Sequence, residues 1–129
     1  MKIKFAIIGF GHIGRKHYNT LLGNAEAEVV AICDPYLEEE SIDGIPVFKD
    51  IEQMLISIPE IDVVNICTPN GLHAEQSIIC INHGKHVVVE KPMSLTKKDA
   101  ENVIFHALNK HVKIFCVMQN RYTANAQFL

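Results

Sequence analysis

"FAIIGFGHIGRKHYNTLL", residues 5 to 22, passes from an apolar run into three glycines, Gly9, Gly11 and Gly14, and then into a basic pair and a helix-like stretch. A buried strand, a glycine-rich turn and a helix in that order point to a sheet whose first loop comes close to a phosphate. At the spacing Gly-x-Gly-x-x-Gly the glycines have separate tasks. Gly9 permits the tight turn, Gly11 lets backbone approach a pyrophosphate, and Gly14 allows close helix packing. The helix N-terminus, with unpaired N–H groups and the positive end of its dipole, then faces the anion. By itself this spacing is a weak signal, so the rest of the chain must supply the other contacts of a dinucleotide.

The rest of the chain repeats the same alternation. Val/Ile-rich runs recur at Ile3 to Ile8, Val29 to Cys33, Val63 to Cys67, Val87 to Val89 and Ile114 to Met118, which suits strands buried on both faces of a parallel sheet. Between them lie helical patterns. Ala100, Val103, Ile104, Ala107 and Leu108 form a stripe at helical spacing, preceded by Thr96 with Asp99 three residues on, which resembles a capping box. Ala74, Ile78 and Ile81 form a second stripe that stops at Gly84. A short edge strand near Pro46 to Phe48 and a helix around Ile51 to Ile58 complete the series. The segment Tyr36 to Gly44 is ambiguous, and Glu38, Glu39 and Glu40 within it read as solvated surface. The expectation is an α/β fold: a doubly wound, mainly parallel six-stranded Rossmann sheet with helices on both faces.

At 129 residues the chain has the size of one ordinary domain, and 48% hydrophobic with 21% charged residues is the balance of a folded soluble protein. A net charge of −3 and the absence of basic runs give no electrostatic reason to bind nucleic acid or an anionic membrane. The apolar N-terminal run is broken at Gly9 and lacks the features of a signal peptide, and no run has the length of a membrane span. Cys33, Cys67, Cys80 and Cys116 form no Cys-x-x-Cys pair and mostly sit in apolar runs, so the expected location is the reducing cytoplasm. The seven histidines and these cysteines match no zinc spacing, and no metal is expected. The apolar ending "TANAQFL" suggests that the natural coding sequence continues. The expected division is a dinucleotide-binding domain over 1–119 and the start of a truncated C-terminal substrate domain over 120–129.

Asp34, at the end of the second strand in "VVAICDP", is the companion that the glycines require. There a carboxylate can accept hydrogen bonds from the adenosine ribose hydroxyls while repelling a 2′-phosphate, which favours NAD over NADP, with Arg15 nearby as the opposing charge. A simple turn-forming Asp-Pro is the competing reading of the same residue. S-adenosylmethionine enzymes also carry a glycine-rich loop and an acid after the second strand, although the glycine spacing here favours a dinucleotide. Two further loops leave the same sheet edge: "CTPNGLH" after the fourth strand and "VEKPMS" after the fifth.

With these segments in view, "GFGHIGRKH", "ICTPNGLH", "VVVEKPMS" and the final "QNRY" resemble, in order, the signature segments of the Gfo/Idh/MocA oxidoreductases. The Glu-Lys-Pro tripeptide is the most diagnostic of them. The resemblance implies the NAD-binding domain of a two-domain enzyme that moves hydride between nicotinamide and a carbinol of a sugar or polyol, with nucleotide-linked sugars as one candidate class. It implies Lys91 as the catalytic residue beside the reacting hydroxyl, where a lysine can stabilise a developing alkoxide or relay its proton. Glu90 would orient the lysine and Pro92 would fix the loop. The cofactor loop Gly9, Phe10, Gly11, His12, Ile13 and Gly14 would hold the pyrophosphate, with His12 contributing backbone. Thr68, Pro69, Asn70 and His73 would lie beside the nicotinamide half, approached by Asn120 and Arg121. Asn70 is equally a candidate helix N-cap, and His73 a plain first-turn residue. His17, one turn into the first helix, reads as an ordinary packing or surface residue. The fragment alone is expected to bind NAD without turnover, and the full-length protein to be a homo-oligomer acting on a small sugar or nucleotide-sugar. The alternative is a non-catalytic dinucleotide-binding sensor or regulatory subunit.

Overall fold

The computed structural model describes residues 1–91 and 93–117. Strands and helices alternate: β1 (Ile3–Ile8), α1 (His12–Leu22), β2 (Ala27–Cys33), β3 (Ser41–Ile42), β4 (Ile45–Phe48), α2 (Ile51–Ser57), β5 (Val63–Ile66), α3 (His73–Asn82), β6 (His86–Glu90), α4 (Lys97–Lys110) and β7 (Ile114–Val117). The strands form one sheet in the order β3-β4-β2-β1-β5-β6-β7. Every pairing is parallel except that of β3 with β4. From β1 the chain winds outward through β2 and β4, then returns to the other side of β1 and winds through β5, β6 and β7. The strand order therefore reverses at β1, the place where open α/β sheets leave a crevice at their carboxyl ends.

Alternation along the strands divides the core between the two faces. Ala6, Ile8, Val64, Ile66, Val87 and Val89 pack with Met54 and Leu55 of α2, Cys80 and Ile81 of α3, and Val103 and Ala107 of α4. On the opposite face Ile7, Val29 and Ile32 pack with Phe10 of the loop after β1 and Tyr18 of α1. The helices thus cover both faces, as a parallel sheet requires.

The sheet has a seventh strand that the sequence reading left inside its ambiguous segment. Ser41 pairs with Pro46 and Ile42 with Ile45 across Asp43-Gly44, whose φ values are +53° and +81°. A two-residue hairpin loop with both residues at positive φ is what Asp-Gly tolerates best. The α4 stripe also needs correction. Val103 and Ala107 are buried, whereas Ile104 and Leu108 are 47% and 71% exposed, because α4 leans on α3 with one side only. Its start is as expected, with the Thr96 side chain accepting the Asp99 N–H. Among the described residues no helix is long and apolar enough to cross a membrane. The expected boundary near Asn120, together with Pro92, Asn120 and Arg121, lies outside the described residues.

Candidate functional site

The three glycines of the first loop are needed for different physical reasons. Gly9 has φ +88°, and a Cβ there would stand 2.9 Å from the Cys67 carbonyl carbon and oxygen. A Cβ on Gly14 would stand 1.9 Å from the Gly9 carbonyl oxygen, so the first turn of α1 sits directly on the loop that leads into it. Gly11 differs from both. It precedes α1 with φ −81°, and a Cβ there would meet no protein atom within 4 Å. The packing of the chain therefore explains Gly9 and Gly14 and leaves Gly11 unexplained. No side chain caps α1, and its first turn holds no acidic residue. Its leading N–H groups and dipole are thus left open to an anion.

Asp34 ties this loop to the end of β2. Its Oδ2 accepts the Phe10 N–H at 2.8 Å, and its Oδ1 accepts the Tyr36 N–H at 2.9 Å. The second bond is the turn expected of Asp-Pro, and the first is a tie between strand ends that the turn alone would not need. Each carboxylate oxygen keeps a further lone pair. Asp34, Gly9 and Gly11 line a cleft of about 580 Å³ with Tyr36, Thr68 and Pro69, within the size range of small-molecule sites. Asp50, Glu52 and Glu75 also line it, against one cation, Lys49, among the lining residues. Arg15 lies with Cζ 4.6 Å from the centre of the Phe10 ring, so its guanidinium is stacked beside the loop.

The loop after β5 forms the opposite wall. His73 is 1% exposed, and its Nε2 lies 2.7 Å from the Thr68 carbonyl oxygen, to which it donates. The Thr68 hydroxyl donates to Gln76 Oε1. The first bond holds the backbone of the loop and the second its Thr68 side chain, so the His73 ring supports the wall from behind. Asn70 opens a single 3-10 turn over Asn70–Leu72, and neither that turn nor α3 has a side-chain cap. The cap reading of Asn70 is therefore not what the structure shows. Burial, reinforced by the Glu90 charge, pushes the Cys67 thiol up to about 12. At neutral pH it is a packed, protonated group.

At the end of β6 the chain brings Glu90 and Lys91 to the same sheet edge. Lys91 is exposed, and its N–H donates to the Val117 carbonyl at 2.9 Å. Glu90 is 5% exposed and bonds His17 Nε2 through Oε2 at 2.5 Å. It lines a separate cavity of about 320 Å³ with Ile13, His17 and Asn65. Gly9, Gly11, Asp34, Thr68 and Pro69 are thus gathered around one cleft. The side chains of Phe10, Ile13, His73 and Glu90 lie behind or beside it, and His12, Asn70 and Lys91 stand exposed outside its lining. The sequence reading left Tyr36, 91% exposed in the cleft wall, inside its ambiguous segment and gave His17 only an ordinary packing or surface role. An aromatic residue just past the second-strand acid was a legible signal for the first. Nothing local marked the second.

The profile of the Gfo/Idh/MocA family, described as an oxidoreductase family with an NAD-binding Rossmann fold, matches residues 3–118. The chain belongs to that family. The Gfo/Idh/MocA relatives it resembles include scyllo-inositol 2-dehydrogenase (NADP(+)) from Bacillus subtilis, 35% identical over 122 residues, which cover 92% of this chain and 34% of the relative. D-glucoside 3-dehydrogenase from Escherichia coli is 32% identical over 107 residues, 78% of this chain and 30% of the relative. Among solved structures, the WlbA dehydrogenase from Chromobacterium violaceum, in complex with NADH and UDP-GlcNAcA, superposes with a TM-score of 0.89 at 33% identity. That match covers 98% of this chain and 38% of the WlbA chain. The chain therefore spans about a third of the length of the relatives it matches.

Proposed function

We propose that the chain is the cofactor domain, residues 1–119, of a larger NAD-dependent dehydrogenase that oxidises a secondary carbinol of a sugar, a polyol or a nucleotide-linked sugar. The observation that carries this reading is Gly11, a glycine that the packing of the chain does not require, at the open N-terminus of a helix. A ligand in backbone contact at that point supplies the missing reason. The residues that would hold NAD are Gly9 to Gly14 at the pyrophosphate, Asp34 and Tyr36 at the adenosine, and Thr68 and Pro69 across the cleft, with Asn120 and Arg121 approaching from further along the chain. The cleft lining supports NAD rather than NADP, since four carboxylates against one lysine disfavour an added phosphate dianion.

Bound NAD supplies the hydride acceptor. The task of Lys91 is at the hydroxyl: its side chain stabilises the negative charge that develops on the oxygen or relays the departing proton. His73 and Gln76 hold the loop after β5, and Asp34 holds the glycine turn in the conformation that exposes the helix N-terminus. Relatives acting on inositols and glucosides, and a structural neighbour bound to a nucleotide-linked sugar, support the substrate class.

The test is calorimetric titration of the full-length protein with NADH and with NADPH, followed by turnover of inositols, glucosides and UDP-sugars by native protein and by Lys91→Met. The expected result is tighter binding of NADH, turnover by the native protein, and loss of turnover in Lys91→Met with NADH affinity retained. Binding of neither nucleotide would overturn the cofactor assignment. NADH binding without turnover of any carbinol would favour the sensor alternative.

A further inference from the structure

One part-buried group that the reaction above leaves without a role is His17. It lies in the second turn of α1 with its side chain 14% exposed, and it bridges two buried polar residues of the sheet. Its Nε2 is 2.5 Å from Glu90 Oε2, and its Nδ1 is 2.9 Å from the Asn65 amide nitrogen. The amide carries hydrogens, so it donates to Nδ1, and the ring proton sits on Nε2, where it donates to Glu90. Asn65 thereby selects the tautomer that the carboxylate needs. Asn65 and Glu90 are 4% and 5% exposed, so the network holds a charge that burial makes costly.

Stability is a weak reason to keep it, because a buried polar network can often be replaced by apolar side chains of similar volume at little loss. Its location does. Val89 points into the core beneath α3 and α4, Glu90 points to the α1 face, and Lys91 emerges at the sheet edge with its N–H on Val117. Glu90 is thus the last anchor before the lysine. The other end of the tie is the helix whose first turn forms the proposed phosphate cradle.

We propose that His17 is a positioning residue for Lys91: through Glu90 it ties the end of β6 to α1 and so fixes the lysine backbone relative to the phosphate-binding turn. This role rests on Lys91 being the proton-handling group proposed above. The tie itself can be measured without turnover.

The experiment is amide hydrogen exchange in the full-length protein, read at Lys91 with Ile81 of α3 as the internal reference, in native protein, His17→Leu and His17→Gln. NADH affinity is measured on the same samples. Leucine keeps the volume and removes both polar contacts, whereas glutamine can still place an N–H on Glu90. A hydrogen bond to a charged group is strong enough that its loss raises local opening about tenfold. His17→Leu is therefore expected to speed exchange at Lys91 about tenfold with Ile81 nearly unchanged, and His17→Gln to restore most of the protection. Unchanged Lys91 exchange in His17→Leu, equal acceleration at Ile81, or a glutamine variant as fast as leucine would each overturn the tie. If His17→Leu does not fold, Glu90→Gln carries the same comparison, since it weakens the acceptor at constant shape. Failure of the native protein to bind NADH instead removes the cofactor reading and leaves the exchange result standing.

Discussion

Replacing Gly11 and Gly14 separately by alanine should divide the glycine motif into a part that serves the fold and a part that serves the ligand. At Gly14 the new methyl would lie 1.9 Å from the Gly9 carbonyl oxygen and 2.9 Å from its carbon. Both atoms are backbone, and the loop carrying them is fixed by the Gly9 N–H on Cys33 and the Phe10 N–H on Asp34. Relief needs a movement of about 1.5 Å, at the severe end of overpacking, which costs about 3 kcal/mol. For a domain of this size that corresponds to a fall of roughly 10 °C in the unfolding midpoint. At Gly11 the methyl meets nothing within 4 Å, and φ is −81°. Folding should be unaffected or favoured by about 0.5 kcal/mol through the less flexible unfolded chain. The same methyl would stand between the helix N-terminus and a bound phosphate. Loss of one charge-assisted hydrogen bond there raises the NADH Kd by about ten- to a hundredfold. Calorimetric titration with NADH and a thermal melt on each variant check the pair. Native NADH affinity in Gly11→Ala, or a melt as depressed as that of Gly14→Ala, would refute the division.

Two further outcomes follow from the buried titrating groups. The Tyr18 hydroxyl donates to Asp43 at 2.6 Å, and that bond, followed by burial and the Asp43 charge, raises the phenol from 10.0 to about 12. A raised value stabilises the folded state below pH 10 and loses that contribution as pH climbs toward 12. Tyr18→Phe should therefore show a shallower alkaline decline in unfolding free energy over that interval. Burial likewise pushes Cys33 and Cys80 up to about 12, while Cys116 is exposed. An aromatic disulfide reagent at neutral pH should label Cys116 rapidly, and Cys33 and Cys80 only at the rate of unfolding. Fast labelling of Cys80 in a protein that remains folded would contradict its burial.

What was legible in the sequence was what short-range chemistry encodes. Runs such as Ile3 to Ile8 and Val87 to Val89 are largely apolar because both faces of the sheet are covered, and a run of that kind announces itself without knowledge of its neighbours. Asp43-Gly44 was missed because the strands flanking it are only two and four residues long and the acidic run before them hides the hairpin. In α4 the apolar spacing was real, yet a stripe of five residues marks a helix without saying which of them faces inward. Contact with α3 rotates Val103 and Ala107 inward and leaves Ile104 and Leu108 outside. Periodicity fixes the element, and the packing partner fixes its face.

The site divides along a similar line. The glycine loop and Asp34 were legible because each motif lies within a few residues of a strand end, and the parallel sheet brings all those ends to one edge. The His17–Glu90–Asn65 network was not, since its members are 73 and 48 residues from His17 and belong to three different elements. Its existence depends on strand register: Asn65 stands opposite Val88 and Ile7, one step from the sheet edge, so its side chain and that of Glu90 fall on the face that α1 covers. A slip of one residue in β6 would turn Glu90 into the apolar core beneath α3. The buried carboxylate therefore disfavours the wrong register, and the same three residues link how the sheet assembles to where the end of β6 stands against α1.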